Sequence, residues 1–187
     1  LIRDQGLDVV IPGIYTTIGA EAFKDKSIAG IEIPESIIAI ENDAFSGNRL
    51  SNVYIPDSVE TIGSGAFSDN QLETIRLPIG LSLIKFGTFN NNLLTRVIIP
   101  DSVRTIQTLA FHANPTLKKI SISKDVNTAS PINAIIPRNV LVDRRAVNDA
   151  PADLIISQQS FNENIAGDSL VATLSTLDPV SYTHLRA

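Results

Sequence analysis

Residues 48–70 read NRLSNVYIPDSVETIGSGAFSDN, and the order of residue kinds in this stretch decides the fold. Leu50, Val53 and Ile55 can turn to one side of a short strand while Asn52 and Tyr54 turn to the other. Pro56 then ends the strand, because proline offers no N–H to a ladder and holds its own φ fixed. Beyond it, Val59, Ile62, Ala66 and Phe67 bring further apolar groups to the same interior, with small polar residues and glycine making the bends.

The pattern recurs along the chain. Pro12, Pro34, Pro56, Pro78 and Pro100 follow one another in equal steps. Phe23, Phe45, Phe67, Phe89 and Phe111 keep a fixed distance after these prolines, and Ile18, Ile40, Ile62, Ile84 and Ile106 keep a shorter one. The unit is L-x-x-V-x-I-P-x-S-V-x-x-I-x-x-x-A-F-x-x-N-x. One unit cannot bury its own apolar face, but stacked units can, with strands about 4.8 Å apart, so the period predicts a quasi-linear repeat solenoid, built of short parallel strands and irregular turns. Asn48, Asn70, Asn92 and Asn114 share one place near the unit boundary, where an asparagine can take a left-handed turn or bond the backbone of a neighbouring coil. The fourth copy, LPIGLSLIKFGTF, departs most and keeps its hydrophobic phase.

After Phe111 one residue is added, so Leu117, Ile120 and Ile122 predict a sixth strand with Ser123 where proline is due. The expected isoleucine and Ala-Phe pair do not follow. A shortened copy around Ile136, Pro137 and Val140 reads as a cap. The expected organisation is a solenoid over 1–126, a degenerate capping repeat over 127–146, a second, incomplete module over 147–179, and a tail over 180–187.

Composition bounds the chemistry. The 187 residues include 43% hydrophobic residues and no Cys, Met or Trp. Lack of cysteine excludes disulfides, thiolate metal sites and thiol nucleophiles. The net charge of −5 argues against a nucleic-acid partner, and no apolar run approaches the length of a membrane span. The chain opens on Leu1 with no charged-then-apolar leader, and is read as part of a longer protein whose export signal or anchor lies elsewhere. His112, one residue after a core phenylalanine and with no second metal-binding partner, reads as a turn residue. Ser36, Ser58 and Ser102 recur after the proline as turn formers, outside any G-x-S-x-G context. GSGAF lacks the Lys-Ser/Thr of a phosphate loop, and the scattered acids form no glycosidase-like pair. No catalytic residue is assigned.

The segments IEIPESIIAIENDAFSGNRL, SNVYIPDSVETIGSGAFSDNQL and RVIIPDSVRTIQTLAFHANPTL resemble the bacterial surface-antigen leucine-rich repeat of BspA-like type, over about Leu7 to Val126. The resemblance implies an extracellular or surface-attached bacterial scaffold for adhesion or protein binding, without catalysis and without a cofactor for the solenoid. Two other readings are a passive spacer and an accessory region of a large secreted enzyme whose catalytic domain lies outside this chain.

From Val147 the text changes to VNDAPADLIISQQSFNENIAGDSLVATLSTLDP, which resembles the opening of a cadherin-like β-sandwich module. NDAP is similar to its inter-module linker, FNEN to the motif with a calcium-binding glutamate, and ATLSTLDP to the strand before an Asp-x-Asp pair. On that resemblance Asp149, Glu163 and Asp178 would supply hard oxygen ligands to calcium. Ala146, Ala150 and Val180 depart from the family pattern. The alternative is that Asp149 caps a turn and Glu163 is a solvated acid. The last eight residues, VSYTHLRA, resemble the translation of a sequencing-library adaptor and are set aside as non-native.

The outward strand positions form two columns in register. One runs Val10, Glu32, Tyr54, Arg76, Ile98, Ser121, and the other Asp8, Gly30, Asn52, Thr74, Arg96, Lys119. They vary while the inward positions hold constant, so Glu32, Tyr54, Arg76, Arg96, Ile98 and Lys119 form a candidate face for an unknown protein or surface ligand, the alternative being a plain solvated sheet.

Overall fold

The coils build two rows of short strands, the first before the proline position and the second after it. The computed structural model describes residues 7–128, 135–137 and 140–145. The first row comprises β1 (Leu7–Val10), β3 (Ile28–Glu32), β7 (Arg96–Ile98), β9 (Lys119–Ser123) and β11 (Leu141–Arg145). Coils three and four meet in this row through a single parallel bridge between Tyr54 and Arg76. The second row comprises β2 (Thr17–Ile18), β4 (Ala39–Ile40), β5 (Thr61–Ile62), β6 (Leu83–Ile84), β8 (Thr105–Ile106) and β10 (Asn127–Thr128). Every strand pairing is parallel, and no helix forms among the described residues. The result is the repeat solenoid that the evenly spaced prolines predict.

Because the unit length is constant, like residues fall on like residues and the core becomes a set of ladders. Phe23, Phe45, Phe67, Phe89 and Phe111 stack in sequence with ring centroids 5.3, 5.2, 5.7 and 5.4 Å apart, within the range at which aromatic pairs attract. Ile18, Ile40, Ile62, Ile84 and Ile106 form a second buried ladder. The fourth copy keeps Leu77, Leu81, Ile84 and Phe89 in the core. Its Thr88 replaces the usual alanine and satisfies its hydroxyl by donating to the Lys85 carbonyl at 2.9 Å and the Gly63 carbonyl at 3.3 Å.

The asparagines form a third, polar ladder. Asn70 accepts from the Leu50 N–H at 3.1 Å and donates to the carbonyls of Phe45, Phe67 and Ser68. Asn92 and Asn114 repeat the arrangement one coil on each time. Of the two roles open to these side chains, the backbone bond to a neighbouring coil is the one found. The left-handed residue is the one before them: Gly47, Asp69, Asn91 and Ala113 all have φ between 52° and 70°. Ser36, Ser58 and Ser102 do more than shape turns. Their hydroxyls donate to Tyr15, Ile37 and Leu81 carbonyls of the preceding coil at 2.7, 2.8 and 2.8 Å.

At the far end, β11 pairs with β9 in register, Leu141 beside Lys119 and Asp143 beside Ser121. The Phe111 N–H donates to the Ile135 carbonyl at 2.9 Å, as that of Phe89 does to Ala110. Ile135 and Ile136 are buried, and that bond places Ile135–Ile136, with Pro137 after them, where the Ala-Phe pair stands in other coils.

Candidate binding face

The outward columns exist in the predicted register. Asp8 pairs with Gly30 and Val10 with Glu32 in β1–β3, Tyr54 bridges Arg76, and Arg96 and Ile98 pair with Lys119 and Ser121 in β7–β9. Glu32, Tyr54, Arg76 and Ile98 are exposed, Tyr54 by 56%. Arg96 and Lys119 are half-buried in the second column. Ser121 is a correction: it retains only 2% exposure. Its short side chain sits between the flanking strands, with the hydroxyl 3.5 Å from the Asp143 carboxylate.

A regularity appears that the unit read by itself does not show. In two successive coils the residue after the proline meets the outward strand residue of the next coil. Tyr54 donates to Glu35 at 3.4 Å. Arg76 forks onto both oxygens of Asp57 at 3.1 and 2.7 Å, and Asp57 also accepts the Ile79 N–H at 3.1 Å. Ile79 and Ile98 stand at the same offset and are both exposed. Aromatic–acid, ionic and aliphatic positions therefore follow one another along the face. Lys119 pairs with Asp143 at 3.2 Å. A groove of about 480 Å³ opens beside Thr74, Arg76, Arg96 and Ile98.

The hydrogen bonds from Arg76, and then that from the Ile79 amide, lower the Asp57 pKa from its ordinary 3.8. The hydrogen bond to Asp57 correspondingly raises that of Arg76. Both groups remain well exposed, so solvent screens the pair, and Arg76→Ala is expected to cost only about 0.2–1 kcal/mol. Since the folded-state value is depressed, the contribution of Asp57 is complete above 3.8 and is lost as pH falls through the lowered value. Urea melts at neutral pH and at roughly pH 2.5 should show the difference between wild type and Arg76→Ala closing on acidification.

His112 is exposed in a turn. Among the described residues no group of three or more His, Asp or Glu side chains is placed to hold a metal, and no helix is long and apolar enough to cross a membrane. Asp149, Glu163 and Asp178, with the module and tail expected over 147–187, lie outside the described residues.

Residues 16–132 match the BspA type leucine rich repeat region in six copies. No curated protein matches the chain. Among solved structures, a leucine rich cell surface protein from Faecalibacterium prausnitzii A2-165 is similar at 19% identity and a TM-score of 0.32, covering 75% of this chain. The match spans 60% of that protein's chain.

Proposed function

The chain belongs to the BspA-type leucine-rich repeat family, and from that premise we propose that it is a non-catalytic scaffold displayed at a bacterial surface, which binds a protein partner through its first strand row. One observation carries this reading: a frame of ladders holds Tyr54, Arg76 and Ile98 in consecutive exposed positions whose chemistry changes from coil to coil. Aromatic and arginine side chains on a rigid support are the usual anchors of protein interfaces. A second reading, the passive spacer, draws support from the internal pairing of Arg76 with Asp57 and of Lys119 with Asp143, which neutralises charges of the face within the chain itself.

Binding of the purified chain to immobilised extracellular proteins, measured by surface plasmon resonance, separates the two. The scaffold reading expects a specific partner whose affinity drops at least about tenfold, or 1.4 kcal/mol, in Tyr54→Ala and Ile98→Ala, while Gln71→Ala binds as wild type. Absence of any specific partner would favour the spacer, and a partner bound equally by all three variants would remove the strand row as its binding face. Presence of the protein on intact cells is tested by its loss on brief external protease treatment. For the cadherin-like reading of 147–179, we propose calcium bound through Asp149, Glu163 and Asp178, with affinity of about 10⁻⁴ to 10⁻³ M. In a chain carrying Val180→Asp and the rest of the module, proteolysis between Val147 and Pro151 should then slow in millimolar calcium, and an unchanged rate would remove these residues as ligands.

A further inference from the structure

The bends that follow the second strand row contain a second left-handed position, occupied in successive coils by Glu21, Asp43, Gly65, Gly87 and Leu109 with φ of 57°, 53°, 64°, 61° and 60°. Three of the five carry side chains, so this backbone conformation alone does not require glycine. At Gly65 a Cβ would fall onto Asp43 Oδ1, whereas at Gly87 it would meet nothing nearer than the Asn90 Cβ at 3.8 Å. Two consecutive coils thus omit a side chain that their neighbours have.

Asp43 fills the space at Gly65, and the space left open at Gly87 belongs to a notch of about 310 Å³. Asp43 bounds it at one end and Leu109 at the other. The position before the left-handed residue changes from Ser64 in one coil to Phe86 in the next, so an aromatic ring that is 51% exposed forms one wall. Asn90 also lines it, and its Oδ1 is buried without a hydrogen-bond partner. Asp43 is engaged with Lys24 at 3.5 Å through Oδ2.

These groups narrow the chemistry of a ligand. The volume lies at the small end of ligand pockets, about 300–1,000 Å³, and suits one small ring. A purely apolar ring would strip water from Asp43, Ser64 and Asn90 without replacing their hydrogen bonds. An anion would meet the Asp43 carboxylate. A neutral ring with an apolar C–H face and a rim of hydroxyls fits this lining: its C–H face lies on the electron-rich face of Phe86, and its hydroxyls donate to the Asp43 carboxylate and exchange hydrogen bonds with Ser64. We propose that this notch is a binding site for a single pyranose unit, either a free sugar or the end of a glycan. The site is separate from the strand face and does not depend on the reading of that face.

The test uses the full 187-residue chain, labelled with ¹⁵N, titrated with galactose and with methyl β-D-galactopyranoside, in which the anomeric oxygen is capped as in a glycan. Shifts of the Gly65, Gly87 and Phe86 amides, saturating with a Kd of about 1–10 mM, are expected. Equal response to both sugars assigns a glycan end, and response to galactose alone assigns the free sugar. Phe86→Ala should weaken binding at least tenfold. Gly87→Leu, which copies Leu109 in the same backbone conformation, should abolish binding with amide dispersion retained. The exposed Phe86→Ala variant keeps the test decisive if Gly87→Leu fails to fold. The absence of saturable shifts with both sugars, or shifts that persist in either variant, would overturn the proposal.

Discussion

Phe67→Ala is expected to remove about 3–5 kcal/mol of stability, the largest loss from any single truncation in the central coils. Phe67 is fully buried and stacked on both faces, 5.2 Å from Phe45 and 5.7 Å from Phe89. Truncation forfeits the transfer free energy of a benzyl group, leaves a cavity, and breaks two aromatic contacts worth about 0.5–1.5 kcal/mol each beyond their area. The surrounding ladders cannot collapse into the space, because each coil is pinned by backbone bonds to both neighbours, among them Phe45 N–H to Ala66 and Phe67 N–H to Thr88. In a quasi-one-dimensional array, where a coil touches only the coils beside it, the defect also weakens coupling between the two halves. Urea unfolding should therefore lose cooperativity as well as midpoint. Tyr54→Ala, one strand away on the exposed face, should cost under about 1 kcal/mol. Equal losses in the two variants would mean that the inward and outward faces are exchanged.

The core is legible in the sequence because three residue types keep one step. Proline, isoleucine and phenylalanine recur in a common phase, and that phase places the Ile and Phe ladders without reference to any coordinate. The second strand row is not legible. Thr61–Ile62 and its counterparts are two residues long, too short for alternation to show, and their pairing depends on the coil before them. The serine ties and the reach from Asp57 to Arg76 stay hidden for a related reason. Both join one unit to the next, whereas the repeat pattern describes a unit by itself. The register after Phe111 misleads because Ile136–Pro137 imitates the strand-ending pair. Only the Phe111 N–H to Ile135 bond and the β9–β11 pairing show which part of the coil it forms. The outward columns are legible in their register, apart from the burial of Ser121. The acids and the isoleucine that flank them, Glu35, Asp57 and Ile79, are not. The notch escapes a sequence reading because its informative residues are the glycines, which within one unit read as ordinary bends.

Asn70→Asp is expected to cost about 3–5 kcal/mol at neutral pH, the penalty of a buried charge without a partner, although it changes one atom group and almost no volume. The asparagine amide accepts from one donor and gives to three carbonyls: its oxygen takes the Leu50 N–H, and its nitrogen serves Phe45, Phe67 and Ser68. A carboxylate keeps the first contact and turns the second into repulsion against three carbonyl oxygens in a site closed to water. Asn70→Ala is milder, because the carbonyls retain other donors. Phe45 keeps Asn48, Phe67 keeps Asn92 and Ser68 keeps the Gly47 N–H. Only the Leu50 N–H is then orphaned, at about 1–3 kcal/mol. The order aspartate worse than alanine separates this ladder from a merely space-filling one, and pH supplies the second readout. Burial and the facing carbonyls raise the folded-state pKa of the introduced acid above its unfolded value of about 3.9. The variant is therefore relatively most stable below that value, where the acid is protonated and can donate to one carbonyl, and it loses stability as pH rises through the unfolded value toward the raised one. Urea melts of wild type, Asn70→Ala and Asn70→Asp at roughly pH 3 and pH 7 should show the aspartate variant crossing from near the alanine variant to well below it. Aspartate and alanine variants that stay equal across that range would mean that the amide nitrogen does not carry the carbonyl contacts assigned to it.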